Sequence, residues 1–211
     1  MAASVAWQTA VERMLSHQII FIRHGETDWN AERRLQGQQD IPLNATGLHQ
    51  ASEAGRRALK FIRSMGALPG SLRYVASPLA RATKTMTLAR AAMDLDPEDF
   101  ETDPRLMELT FGEWEGFTWP EVKAHSPQAA SWREGDKWNF TPPGGESYAM
   151  LEARLRPWLE SVDRDLVVVS HGGVARALMA MIGGLAHERA ALADIWQGRV
   201  IVFHRDRFDW V

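Results

Sequence analysis

Ile19-Ile20-Phe21-Ile22-Arg23-His24-Gly25-Glu26-Thr27 joins a short, β-branched apolar run to a basic pair and a glycine. A continuous apolar run of this length that stops at a turn signal reads as a strand buried on both faces. Arg23 and His24 then emerge at its carboxyl end, where open α/β sheets bind their ligands. Two later segments repeat the arrangement. Leu72-Arg73-Tyr74-Val75-Ala76 runs into Ser77-Pro78 and a helical stretch that carries Arg81, and Leu166-Val167-Val168-Val169 runs into Ser170-His171-Gly172-Gly173. Strands alternating with helices predict an α/β fold with a mostly parallel sheet.

The three strand ends offer two Arg and two His, with Glu26 their only carboxylate and none of the Asp-rich patterns that hold Mg²⁺. Guanidinium groups fork phosphate oxygens bidentately and remain charged at any working pH. Each segment also opens a helix, whose free N–H groups favour anions. One such strand end is an ordinary surface turn, but three together predict a phosphate site. A metal held by His24 and His171 is the rival chemistry. It needs a third His or a carboxylate at ligand spacing, and the sequence presents none.

The chain resembles the histidine phosphatase superfamily, the phosphoglycerate-mutase-like enzymes, from about Gln18 to the C-terminus. The resemblance is carried by Arg23-His24-Gly25-Glu26-Thr27 with Trp29-Asn30, by Gln36-Gly37 and Pro42-Leu43-Asn44, and by Ser77-Pro78-Leu79-Ala80-Arg81-Ala82 with Thr85. It continues through Glu108, Phe111-Gly112-Glu113-Trp114-Glu115-Gly116, Pro143-Gly144-Gly145-Glu146-Ser147 and Ser170-His171-Gly172-Gly173. It implies a three-layer sandwich, a mostly parallel central sheet flanked by helices, with His24 as the nucleophile that becomes phosphorylated. Arg23, Arg81 and His171 would grip the phosphoryl group, and Asn30, Gln36 and Gly172 would line the substrate site. Glu108 would be the proton donor. Neither a metal nor another cofactor is implied.

Elementary chemistry suits these roles. A neutral imidazole is nucleophilic, and neighbouring Arg side chains hold it neutral. Attack in line splits one hard displacement into two easier ones, while positioning and charge stabilisation carry most of phosphoryl transfer. The leaving alkoxide still needs a proton, so the acid must hold one when the ester is bound. Among Glu108, Glu113 and Glu115, only the resemblance selects Glu108. Glu26 reads as a structural partner for a nearby Arg or backbone N–H. His17, His49, His125, His187 and His204 belong to no constellation.

The 211-residue chain suits a single domain over residues 18–211 after an N-terminal extension over residues 1–17. In the extension Val5, Trp7, Val11, Met14 and Leu15 would make one amphipathic face. Lys and Arg total 24 against 27 Asp and Glu, with no basic stripe of the kind nucleic acids require. No apolar run reaches membrane-spanning length, no signal peptide is expected, and the absence of Cys fits a cytoplasmic protein. The expected partner is thus a small-molecule phosphate ester, with neither nucleic acid nor membrane involved and the oligomeric state open.

Periodicity predicts a helix over residues 48–62 with Leu48, Ala51, Gly55, Leu59 and Ile62 on one face. Ser77 as N-cap and Pro78 in the first turn are expected to open the next helix, with Arg81 near its N-terminus. A third helix, over residues 147–162, carries apolar Met150, Leu151, Leu155, Trp158 and Leu159, and Pro157 is expected to kink or shorten it. Residues 199–203 and 208–211 read as a hairpin or edge strands. Before the third helix, residues 111–145 hold four of the nine Trp and interrupt the α/β alternation, which marks a Trp-rich cap insertion. Trp119, Trp132 and Trp138 are candidates for a pocket wall, and Lys123, Arg133 and Lys137 for contacts to further anionic groups.

A metal-independent phosphomonoester phosphatase fits this pattern best. A cofactor-dependent phosphoglycerate mutase is the alternative chemistry, and a non-catalytic phosphate-binding scaffold the alternative class. The dedicated mutases of the family carry an extra basic, tyrosine-bearing insertion and a covering tail. This chain has only Tyr74 and Tyr148.

Overall fold

β1 (Ile19–Arg23), β2 (Arg73–Ala76), β3 (Glu101–Thr102), β4 (Leu166–Ser170), β5 (Val200–His204) and β6 (Arg207–Trp210) form one sheet in the order β3-β2-β4-β1-β5-β6. The computed structural model describes residues 17–211. The amphipathic face expected in the N-terminal extension lies outside the described residues. β3, β2, β4 and β1 run parallel, while β5 pairs antiparallel with β1 and β6 antiparallel with β5. The tail is therefore a hairpin, but only β6 is an edge. Val200 to Phe203 are buried, with β5 enclosed between two neighbours.

The helices are α1 (Asp28–Ala31), α2 (Ala45–Ser64), α3 (Ala80–Ala91), α4 (Trp119–His125), α5 (Pro127–Gly135), α6 (Tyr148–Glu160), α7 (Gly172–Met181) and α8 (His187–Leu192). Successive strand side chains point to opposite faces, and both faces are covered. Ile20, Ile22, Tyr74, Val167 and Val169 pack with Ala58, Ile62, Ala82 and Met86 of α2 and α3. Ile19, Phe21, Leu166 and Val168 pack with Leu151, Leu155, Val174 and Leu178 of α6 and α7. This is the expected three-layer sandwich. Ile19 through Ile22 are fully buried, so truncating Phe21 to Ala costs about 3–5 kcal/mol.

Helix boundaries and faces depart from the periodicity in identifiable ways. Helix α2 starts at Ala45, earlier than residue 48, because the Asn44 side chain accepts from Gly47 N. Its buried stripe is built from Gly47, Ala51, Ala54, Gly55, Ala58 and Ile62, small residues that permit close packing, and Leu48 is exposed. In α6, Ser147 caps the N-terminus as its position suggests, and Pro157 lies within the helix, which ends three residues later at Glu160. Met150 is exposed because it sits about 100° around the helix from Leu151.

The Ser77 cap is a correction. Helix α3 begins at Ala80, and Asp40 from a separate loop accepts from Ala80 N at 2.8 Å. Ser77 N still donates to Val169 O (2.9 Å), which keeps Ser77 extended beside β4. Its hydroxyl is used elsewhere.

Candidate active site

Because β2, β4 and β1 are adjacent and parallel, their carboxyl ends deliver Ser77, His171 and the Arg23-His24 pair to one edge. His24 N donates to Ser170 O at 2.9 Å, locking the end of β1 to that of β4. The turn after His24 is held against the start of α2 by two glycines. A Cβ on Gly25 would lie 2.2 Å from Gly47 O, and one on Gly47 would lie 2.0 Å from Glu26 O. Gly25 N donates to Thr85 Oγ1 (3.1 Å), and Thr85 Oγ1 donates to Arg81 O (2.7 Å).

His24 and His171 are buried, their ring centroids 5.1 Å apart. Burial foremost, and then the Arg81 and Arg23 guanidiniums, hold the His24 imidazole well below the usual histidine range. His171 is lowered in the same direction by burial, Arg81, His24 and Arg23. His24 Nδ1 lies 2.7 Å from Gly25 O. A carbonyl only accepts, so Nδ1 carries the ring proton and Nε2 keeps a free lone pair.

The two arginines of this edge are anchored by backbone carbonyls. Arg81 Nη1 and Nη2 donate to Gln39 O and Gly37 O, both at 2.6 Å. Arg23 Nη1 donates to Ile195 O at 2.7 Å. Burial lowers both guanidiniums, Arg23 to about 10. Among the described residues, the buried side-chain N and O atoms left without a partner are Arg23 Nε, Arg81 Nε and His171 Nδ1. Orphaned buried donors are costly, and these belong to the three residues expected to grip a phosphoryl group.

Glu108 reaches the same edge from the segment after β3. Its Oε2 accepts from Gly173 N (3.0 Å) and its Oε1 from Leu109 N (3.0 Å). A Cβ on Gly173 would stand 2.2 Å from Glu108 Oε1, so glycine there is what admits the carboxylate. Glu115 instead accepts from Gln38 N, Thr110 Oγ1 and Phe111 N, a structural role, and Glu113 is exposed. Glu26 accepts from the Asn44 amide (3.0 Å), a structural contact as expected, though among the described residues the partner is a side-chain amide and not an Arg or a backbone N–H. Asn30 and Gln36 come together around Thr27 and each other, and Asn30 Oδ1 accepts from Thr27 N and from Gln197 Nε2.

Sequence reading missed Ser77, Arg176 and Gln197 as members of this constellation. Ser77 Oγ lies 2.7 Å from His171 Nε2. Arg176, one turn into α7, approaches Arg23 across Gly172, and its spacing from His171 was the available signal. Gln197 lies in a segment without periodicity.

The cap insertion has its own small core of Trp114, Val122 and Ala130, with Trp114 stacked on Phe140 (5.5 Å). Beside it a cleft of about 720 Å³ is lined by Leu35, Trp119, Arg133, Lys137, Trp138 and His187, among others. Trp119 and Trp138 thus line a cleft as expected, whereas Trp132 is 61% exposed and off it. Lys123 is neutralised by Glu134 at 2.6 Å. His187 joins the cleft through its stack on Trp138, centroids 4.1 Å apart, a placement the sequence does not signal. Among the described residues no group of three or more His, Asp or Glu could hold a metal ion. No helix among them is long and apolar enough to cross a membrane.

The profile of the histidine phosphatase superfamily (branch 1) matches residues 19–211. Over 185 residues the chain is 34% identical to a glucosyl-3-phosphoglycerate phosphatase of Mycolicibacterium vanbaalenii, covering 82% of this chain and 76% of that protein. A probable phosphoglycerate mutase GpmB of Salmonella paratyphi C is 36% identical over 177 residues, covering 80% and 75%. Among solved structures, a mycobacterial glucosyl-3-phosphoglycerate phosphatase complexed with VO3 superposes with a TM-score of 0.73. It is 30% identical, with 92% of this chain and 96% of that one covered.

Proposed function

The chain belongs to branch 1 of the histidine phosphatase superfamily, and on that premise we propose that it hydrolyses a small phosphomonoester through a phosphohistidine on His24, without a metal. The observation that carries this reading is the trio of orphaned donors on Arg23, Arg81 and His171 beside a neutral His24. An anion with three equatorial oxygens supplies all three partners at once.

In the first step His24 Nε2 attacks phosphorus in line. The P–N bond forms, the ester P–O bond breaks, and the leaving alkoxide takes a proton from the Glu108 carboxyl. In the second step water attacks the phosphohistidine, gives a proton to the Glu108 carboxylate and releases phosphate, which returns the lone pair to His24. Arg23, Arg81 and His171 Nδ1–H stabilise the equatorial charge throughout. Asn30, Gln36 and Gly172 line the same substrate site. Residues 18–211 act as one catalytic domain, with residues 111–145 as its cap and the cytoplasm as its compartment.

Relatives named as phosphatases favour hydrolysis, and the GpmB relatives keep mutase action as a second reading. Phosphorus NMR of the protein with EDTA, 3-phosphoglycerate and a trace of 2,3-bisphosphoglycerate separates the two. Free phosphate alone is the expected result. Growth of 2-phosphoglycerate without free phosphate would establish the mutase instead.

A further inference from the structure

Residues 193–199 join α8 to β5, and this connection touches the site at two points that are far apart in sequence. Ile195 O accepts from Arg23 Nη1 at 2.7 Å, and two residues on Gln197 Nε2 donates to Asn30 Oδ1 at 2.9 Å. The backbone that presents Gln197 is itself fixed. Ile195 and Val200 on either side of it are buried, and Gly198 turns with a φ of +70° against α2, where a Cβ would lie 3.4 Å from the Gln50 side chain. Gln50 in turn accepts from Glu26 N at 2.9 Å. Gln197 thus reaches Asn30 from a seated loop.

A carboxamide has nearly the same shape at both ends, so its hydrogen-bond partners decide which end meets an anion. Asn30 lies in α1, a single helical turn, where Thr27 N donates to its Oδ1 at 3.2 Å as part of the capping box. Gln197 Nε2 takes the second lone pair of the same oxygen at the shorter distance. Oδ1 is then saturated and turned toward the protein. Among the described residues Nδ2 has only Gln36 Oε1, at the limiting distance of 3.5 Å, which leaves it as the end able to donate to a phosphoryl oxygen. Loss of one of the two locks on Oδ1 lets the carboxamide rotate and set an acceptor against a dianion.

We propose that Gln197 is a positioning residue for the reaction: it holds the Asn30 carboxamide with Nδ2 toward the phosphoryl group, and so acts on the transferred phosphate without touching it. The inference rests on the phosphatase reading of the same edge, in which Asn30 lines the substrate site. A merely structural tie between the 193–199 connection and α1 would cost stability alone. Positioning of Asn30 costs anion affinity and rate, and only while Asn30 is present.

The test is a double-mutant cycle of Gln197→Met and Asn30→Ala, read by phenyl phosphate hydrolysis and by calorimetric binding of orthovanadate. Gln197→Met keeps the length of the side chain and removes its donor. Alone it should lower kcat/KM and weaken vanadate binding by about tenfold, and in the Asn30→Ala background it should change either by less than about twofold. Phenyl and p-nitrophenyl phosphate should lose equally in kcat/KM, because Asn30 meets the phosphoryl group and not the leaving group. Wild-type values in Gln197→Met, a loss that survives Asn30→Ala, or unequal losses for the two esters would overturn the proposal. If no ester is hydrolysed while vanadate binds, the hydrolase reading falls and the vanadate cycle alone decides the role of Gln197. If vanadate does not bind either, both fall.

Discussion

Ser77 Oγ stands 2.7 Å from His171 Nε2, and both residues are fully buried. A donor is needed on the His171 atom that faces the anion, Nδ1, so the Ser77 hydroxyl, which also accepts the Leu79 N–H at 3.4 Å, gives its hydrogen to Nε2. His171 then keeps its ring proton on Nδ1, the atom without a protein partner. Ser77→Ala frees Nε2 to take the proton and turns a donor toward the phosphoryl group into an acceptor. The account predicts a drop in kcat of about tenfold or more, with circular dichroism unchanged. Wild-type kcat in that variant would show that Ser77 does not set the tautomer.

Glu108→Gln should slow phenyl or alkyl phosphates about 10²–10⁴-fold, because their leaving groups need a proton. Hydrolysis of p-nitrophenyl phosphate, whose leaving group is stable unprotonated, should fall far less. Gly173→Ala should reproduce this pattern, since its Cβ would occupy the place of Glu108 Oε1. Steady-state rates with matched aryl and alkyl esters measure both. Equal losses for good and poor leaving groups would remove Glu108 from the acid role.

The two buried imidazoles make stability depend on pH. Both are held below the unfolded value of about 6.5. Above that pH folded and unfolded chains are alike neutral at these sites. As pH falls through it, the unfolded chain binds protons that the fold refuses, so stability declines until the lower native value is reached. The limiting slope is about 1.4 kcal/mol per pH unit for each imidazole. Urea midpoints at pH 7.5 and 5.5 should show the loss, and His24→Asn with His171→Asn should flatten it. An unchanged slope in the double variant would assign the acid sensitivity to other groups.

How far the sequence leads depends on the range of the interaction. The apolar runs of β1 and β4 are short-range signals, and each produced the strand expected. The strand ends follow from parallel order, so Arg23, His24, Arg81 and His171 were legible together. Ser77 was misread because its local context, a Ser before a Pro, has the form of a helix start. The cap of α3 comes instead from Asp40, forty residues earlier, and no local pattern encodes that pairing. Carbonyl anchors are equally silent, since any residue could supply the backbone oxygens of Gly37, Gln39 and Ile195. The buried faces of α2 and α6 diverged where small residues or a single step of rotation, as at Leu48 and Met150, decided the contact.

The most direct test of the central claim mixes the protein with phenyl phosphate in EDTA, quenches within the first turnover in alkaline denaturant, and locates the phosphoryl group by peptide mass. The account predicts an acid-labile phosphoryl group on the peptide that contains His24, and neither adduct nor phosphate release in His24→Ala. Phosphate release by His24→Ala at the wild-type rate would contradict it.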